Sequence, residues 1–184
     1  MDFLTAYYRQ SDATDMAIVL QQYRWRGRQV CFACMCKAKE EKAVAYFSKR
    51  LLHWFRELSA RHLCNLSRKE EGLGRLAATL QEAIAEADRE LLYSGLIREK
   101  EAVAIAAMLC VGTVYVLVLR GDLKGYLVNT FFGRTSMRAL GGDSEENTVL
   151  RIERGVVQEN VGVLFATDSF GKVLGEEVLK RGDR

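Results

Sequence analysis

Proline is missing altogether from these 184 residues, against an average usage of about 5%, so no proline-rich linker divides the chain. Histidine is almost as scarce. His53 and His62 lie about two and a half turns apart on a helix, on opposite faces, and do not make a ligand pair. Long apolar runs are absent too: stretches such as 111–119 stop far short of the ~20 residues that cross a bilayer as a helix, so no membrane span is expected. Met1 to Tyr8 reads straight into a strand, without the basic-then-apolar order of an export signal. Cysteine is present but odd in number, five in all with three inside Cys31–Cys36, which suits a reducing compartment better than a disulfide framework. The expected location is cytoplasmic.

What is there is the balance of a globular protein, 49% hydrophobic and 28% charged. The length fits one domain spanning residues 1–184. The formal net charge of +3 hides an asymmetry. Residues 1–69 carry 13 basic and 6 acidic side chains, whereas residues 70–184 carry 14 and 18. Scattered along amphipathic segments, the basic excess reads as a solvated face, and a basic module for nucleic acid or an acidic protein is the alternative.

Phe3–Tyr8, Asp15–Tyr23 and Arg28–Cys36 are rich in β-branched, aromatic and cysteine residues, with a hairpin turn expected at Arg24-Trp-Arg-Gly27. From Ala38 the period changes to three and four. Ala43, Val44, Phe47, Leu51, Trp54, Phe55 and Leu58 then share one helical face. A second helix is expected after Ser67, a candidate N-cap with Glu70 three residues on, and its stripe runs Leu73, Leu76, Leu80, Ile84, Ala87, Leu91 up to Gly95. Strands are expected at 102–110, 114–120, 123–128, 134–140, 150–153 and 162–167, and a short helix at 173–180. Short connections between strands make the pairing antiparallel. Strands, two helices, many strands and a helix argue for an α+β layered fold rather than a βαβ repeat.

Two stretches carry a specific resemblance. Val114-Tyr-Val-Leu-Val-Leu-Arg-Gly-Asp-Leu-Lys-Gly-Tyr-Leu-Val128 resembles the strand–Gly-Asp-Ser-Arg–strand hairpin of the metal-dependent type 2C protein serine/threonine phosphatases, the PPM superfamily, and Gly162-Val-Leu-Phe-Ala-Thr-Asp-Ser-Phe170 is similar to that family's strand ending in Ser-Asp-Gly-Leu. Ala13-Thr14-Asp15 sits where the family has an Asn-Glu-Asp type turn, and Phe32–Lys39 aligns with the strand that ends in its Asp-Gly-Met-Gly-Gly turn. The resemblance spans nearly the whole chain. It implies two stacked antiparallel β-sheets flanked by helices, an αββα sandwich, abbreviated at the C-terminus because Arg184 comes before the family's final strand with its Asp-Asn pair.

The family's reaction needs two divalent metals, and such hard cations need oxygen ligands with carboxylates to offset their charge. By the resemblance, the family's first glutamate falls on Thr14, its neighbouring aspartate on Asp15, the bridging aspartate on Cys36 and the following glycine on Lys37. Asp168 matches a metal-ligand aspartate. Asp15 and Asp168 are thus the vestigial metal positions, Thr14, Cys36 and Lys37 the degenerate ones, and Arg9 stands near the family's phosphate-binding arginine. No cofactor is expected beyond weakly held Mg²⁺ or Mn²⁺.

Two cysteine readings compete with this one. Cys31, Cys34 and Cys36, with Cys64, His53 or His62, have the ligand types of a zinc site. Strand alternation puts Cys34 and Cys36 on one face and Cys31 on the other, which favours buried structural thiols. Cys36 beside Lys37 has the charge setting of an activated nucleophile, but no base or oxyanion site stands with it. Gly121-Asp122 reads as a turn. The resemblance and the ligand count together imply a catalytically inactive phosphatase-like domain, a pseudophosphatase, that binds a protein partner or a second copy of itself through an open sheet edge. The alternative is an active phosphatase whose site is rebuilt from Asp12, Asp143 or Glu145.

Overall fold

A computed structural model describes residues 15–58, 69–98, 101–131, 134–140, 149–157 and 161–167. The expected strand at Phe3–Tyr8, the Ser67 cap and the helix at 173–180 lie outside them, as do Arg9, Asp12, Thr14, Asp143, Glu145 and Asp168.

Strands β1 (Met16–Trp25) and β2 (Arg28–Lys37) pair antiparallel from Met16↔Lys37 to Trp25↔Arg28. That register leaves two residues for the loop. Arg26 and Gly27 both take positive φ, 48° and 75°, as the tight turn that matches the twist of a hairpin requires. Helices α1 (Glu41–Glu57) and α2 (Lys69–Tyr93) follow, and most of the expected stripes are buried: Ala43, Val44, Phe47, Leu51 and Phe55 on the first, Leu76, Leu80, Ile84, Ala87 and Leu91 on the second, with Trp54 and Leu73 half-buried against the same core. Tyr46 reaches Glu90, while Arg50, one turn further along α1, reaches Glu90 and also Glu86, one turn earlier in α2. The helices therefore run in opposite directions.

The remaining strands are β3 (Ala104–Val111), β4 (Val114–Arg120), β5 (Leu123–Phe131), β6 (Arg134–Leu140), β7 (Arg151–Val156) and β8 (Val161–Thr167). They complete a five-stranded sheet, in the order β1-β2-β3-β4-β7, and a three-stranded one, β6-β5-β8. All six described pairings are antiparallel. The fold is α+β, two antiparallel sheets with α1 and α2 against the larger one. Its two faces sort by parity, as a period of two demands. Phe32, Cys34, Cys36, Ile105, Ala107, Leu109, Val116 and Val118 meet the helices. Cys31, Ala106, Met108, Cys110, Leu117 and Leu119 meet Leu123, Leu140 and the side chains of β8. Because β3 and β4 are buried on both faces, their sequences are nearly unbroken apolar runs.

One expectation needs correction. Gly121-Asp122 does not close a hairpin: β4 pairs with β3 and β7, and β5 with β6 and β8. The turn carries the chain from one sheet to the other. Leu119 before it and Leu123 after it both bury their side chains in the space between the sheets, so folding one layer over the other removes more apolar surface from water than edge pairing would.

The corner before that turn is held by Arg120, the charged last residue of the otherwise apolar strand β4. It is 4% exposed. Its guanidinium grips Asp88 of α2 with two hydrogen bonds of 2.5 and 2.9 Å, donates through Nε to the Val103 carbonyl at 2.9 Å, and lies 5.8 Å from the Phe47 ring centroid. Removing Asp88 would leave this cation buried with no counter-charge, whereas Asp88 itself is 24% exposed on its side chain and can turn to water. Asp88→Ala is expected to cost about 3 kcal/mol in urea unfolding, more than Arg120→Met, and Arg120→Met with Asp88→Leu to cost less than the sum of the two.

A second polar tie is more exposed. The hydrogen bond from the Tyr46 hydroxyl, 2.5 Å long, and the Arg50 guanidinium beside it hold the Glu90 carboxyl below its ordinary range. A depressed folded pKa gives stability that is fully present above the unfolded value of about 4.3 and is lost as pH falls through the lower folded value. Thermal melts from about pH 6 down to 3 should therefore show a shallower acid loss in Glu90→Gln than in the parent chain.

Candidate functional site

The resemblance directs attention to the end of the larger sheet where β2 stops and β1 begins. Lys37 is opposite Met16 on one side and Ala104 on the other. One residue further out, the Ala38 amide donates to the Asp15 carbonyl at 3.0 Å, so Asp15 stays beside the end of β2.

The turn after β4 reaches the same place by a close approach of backbone. Ile105 pairs with Arg120, which puts Ala104 under the next residue, Gly121. A Cβ added to Gly121 would stand 2.5 Å from the Ala104 Cβ, and Gly121 has a left-handed φ of 79°. Only glycine meets both conditions without strain. Asp122 is thereby delivered to Lys37, with Nζ 2.6 Å from Oδ2 and side-chain exposures of 31% and 45%. Further out, Lys39 and Glu101 form a looser pair of 3.4 Å.

The sequence-derived residues are not all brought together here. Asp15, Lys37 and Asp122 share this end of the sheet. Cys36 is fully buried on the opposite face of β2, packed among residues of the helix layer, with its sulfur 3.3 Å from that of Cys34. The thiol and the Lys37 ammonium thus point away from each other across the sheet, which removes the charge setting of an activated nucleophile. Burial, and then the neighbouring Cys36 thiol, push the Cys34 pKa well up. Cys31 lies on the other face, opposite Cys110, and burial raises their thiols to about 11 and about 12. These four cysteines are free and buried, divided between two faces as the alternation of the strand implied. His53 pairs with Glu57 on exposed surface at 3.2 Å. Cys64 and His62 lie outside the described residues.

A hard divalent cation requires several oxygen ligands, and among the described residues no group of three or more histidine, cysteine, aspartate or glutamate side chains is placed to hold one; Asp12, Asp143, Glu145 and Asp168 lie outside those residues. Asp122, the carboxylate nearest the turn, is already neutralised by an ammonium that would repel a divalent ion. What the described residues offer here is a fixed pair of opposite charges, partly in water.

The role of Asp122 escaped sequence reasoning, since it and Lys37 are 85 residues apart and glycine–aspartate is sufficiently explained by a turn. A lone lysine after one buried strand and a lone aspartate after another were the available signal. Arg120 was missed for a similar reason.

No protein-family model and no curated protein matches the chain. Among solved structures it is similar to a bacterial serine phosphatase carrying an arginine-to-alanine mutation, with 12% identity and a TM-score of 0.48 over 85% of this chain and 65% of that one. The arginine-to-glutamate form of a bacterial serine phosphatase gives 13% and 0.47, over 86% and 66%. The catalytic domain of the serine threonine protein phosphatase PstP in complex with two manganese ions gives 15% and 0.46, over 83% and 76%. The chain therefore spans somewhat less than two thirds of the length of the first two.

Gly121→Ala is expected to destabilise the fold by about 2–4 kcal/mol, from the left-handed φ and the clash together. Adding Ala104→Gly should recover the part due to the clash and not the part due to φ. Chemical unfolding of the two variants beside the parent measures both.

Proposed function

We propose that this chain is a phosphatase-like domain of the PPM type whose metal site has degenerated, and that it acts by binding a protein partner rather than by hydrolysis. One observation carries the reading. Lys37, which falls on a glycine of the family's motif, places its ammonium 2.6 Å from the Asp122 carboxylate, so the positive charge at this end of the sheet is the chain's own. By the resemblance, Thr14 in place of a glutamate supports the same view.

On this reading no Mg²⁺ or Mn²⁺ is resident, and the domain is cytoplasmic. Its partner is a protein, either a different chain or a second copy of this one. β1 and β7 border the larger described sheet, and β6 and β8 the smaller. An unpaired strand edge presents amide and carbonyl groups that another strand can take up.

The purified chain, given saturating Mn²⁺ and either a chromogenic phosphate ester or a phosphothreonine peptide, is expected to give no turnover above buffer, and calorimetry no heat of Mn²⁺ binding. Metal-dependent turnover that disappears in Asp168→Ala would overturn the proposal in favour of an active phosphatase with a rebuilt site.

A further inference from the structure

The other end of the same hairpin is built differently. Residues 16–37 contain four cations and no aspartate or glutamate, and three of those cations, Arg24, Arg26 and Arg28, fall within five residues at the tip. All three are exposed. Arg24 already has an interaction of its own within the chain. Arg26 lies over the Trp25 ring, 5.0 Å from guanidinium carbon to ring centroid, and among the described residues neither Arg26 nor Arg28 forms a salt bridge. Arg56, exposed at the end of α1, donates to Gln21 of β1 at 3.2 Å and adds a further positive charge on the helix side of the hairpin. The nearest acid on that helix end, Glu57, is engaged with His53.

We infer that this arginine tip is a docking site for an acidic peptide segment of a partner protein. A tight two-residue turn fixes the backbone under Arg26, and stacking on Trp25 restricts its side chain, so less freedom is lost when it binds. A guanidinium presents its donors as a planar fork that matches a carboxylate with two hydrogen bonds. Positive charge that has no salt bridge among the described residues, carried on an exposed hairpin tip, also steers an acidic partner to it over a distance.

The same features speak against nucleic acid. Single strands are held largely by bases stacking on free aromatic faces, but Trp25 packs one side against the core and carries Arg26 on its ring. Duplex binding gains affinity by neutralising many phosphates, about 6–10 in typical cases, more than one hairpin tip can reach. The tip is about 30 Å from Lys37, nine residue steps of about 3.4 Å along the strands. It does not depend on the phosphatase-like reading, and either can fail without the other.

The test is fluorescence anisotropy of the full chain with a labelled Asp/Glu-rich peptide of about a dozen residues, at low and at physiological salt. Binding that weakens with salt is expected, together with no binding of the same peptide with its acids changed to amides. Arg26→Ala with Arg28→Ala should weaken binding about tenfold, equal to ~1.4 kcal/mol, with unchanged circular dichroism and melting temperature. Arg26→Lys with Arg28→Lys, which keeps the charge and loses the fork, should fall between, and it serves the same purpose if the alanine pair fails to fold. Absence of salt-sensitive binding, full affinity in the double variant, or tighter binding of a 20-nucleotide single strand or duplex than of the peptide would each overturn the inference.

Discussion

The contact on which the geometry of this molecule turns is the buried pair between Arg120 and Asp88. An ion pair taken out of water adds little net stability compared with a well-packed apolar pair, and what it does supply is direction. A guanidinium with three fixed partners, two carboxylate oxygens on α2 and the Val103 carbonyl just before β3, allows the end of β4 only one position relative to the helices. The next residue is Gly121. Its contact with Ala104, and with it the meeting of Asp122 and Lys37, therefore inherits its precision from a pair on the far side of the sheet.

This explains why one short segment can serve two layers. Up to Val118 the even-numbered side chains of β4 pack into the helix layer, and Arg120 continues that parity but ends it with a charge. The odd-numbered ones, Leu117 and Leu119, face the second sheet. At Gly121 the chain leaves the first sheet, and Leu123 enters the same inter-sheet space from the other side. Sheet, helix layer and second sheet are thus fastened within a few consecutive residues.

Much of this was legible from the residues. The change of period at Ala38 is a property of side-chain direction, so the buried stripes of both helices could be written down in advance. The turn at Gly27 follows from the φ that a two-residue hairpin demands. That Cys34 and Cys36 share a face apart from Cys31 needed only the period of two. Which face lies under the helices is another matter, because parity separates two faces and does not label them; the position of Cys36 relative to the turn was illegible for that reason. Gly121-Asp122 looked like a hairpin because a corner between sheets and a hairpin ask for the same local backbone. The difference lies in burial on both sides of Leu119 and Leu123, and burial depends on partners distant in sequence. Long-range charge pairs are hidden in the same way.

The two ends of the β1–β2 hairpin make the remaining contrast. At one end Lys37 has a partner 2.6 Å away, supplied by a turn that the rest of the fold holds in place. At the other, Arg26 and Arg28 project from a backbone that is equally well fixed, and the hairpin itself contains no acid to answer them. A charge that a fold compensates contributes to the fold's own geometry. A charge without a partner on a rigid support retains its solvation and its reach, and the free energy it can release is available to another molecule. Within the β1–β2 hairpin the positive charge is therefore not uniform in meaning: it is paired at Lys37, and among the described residues Arg26 and Arg28 carry it without a salt bridge.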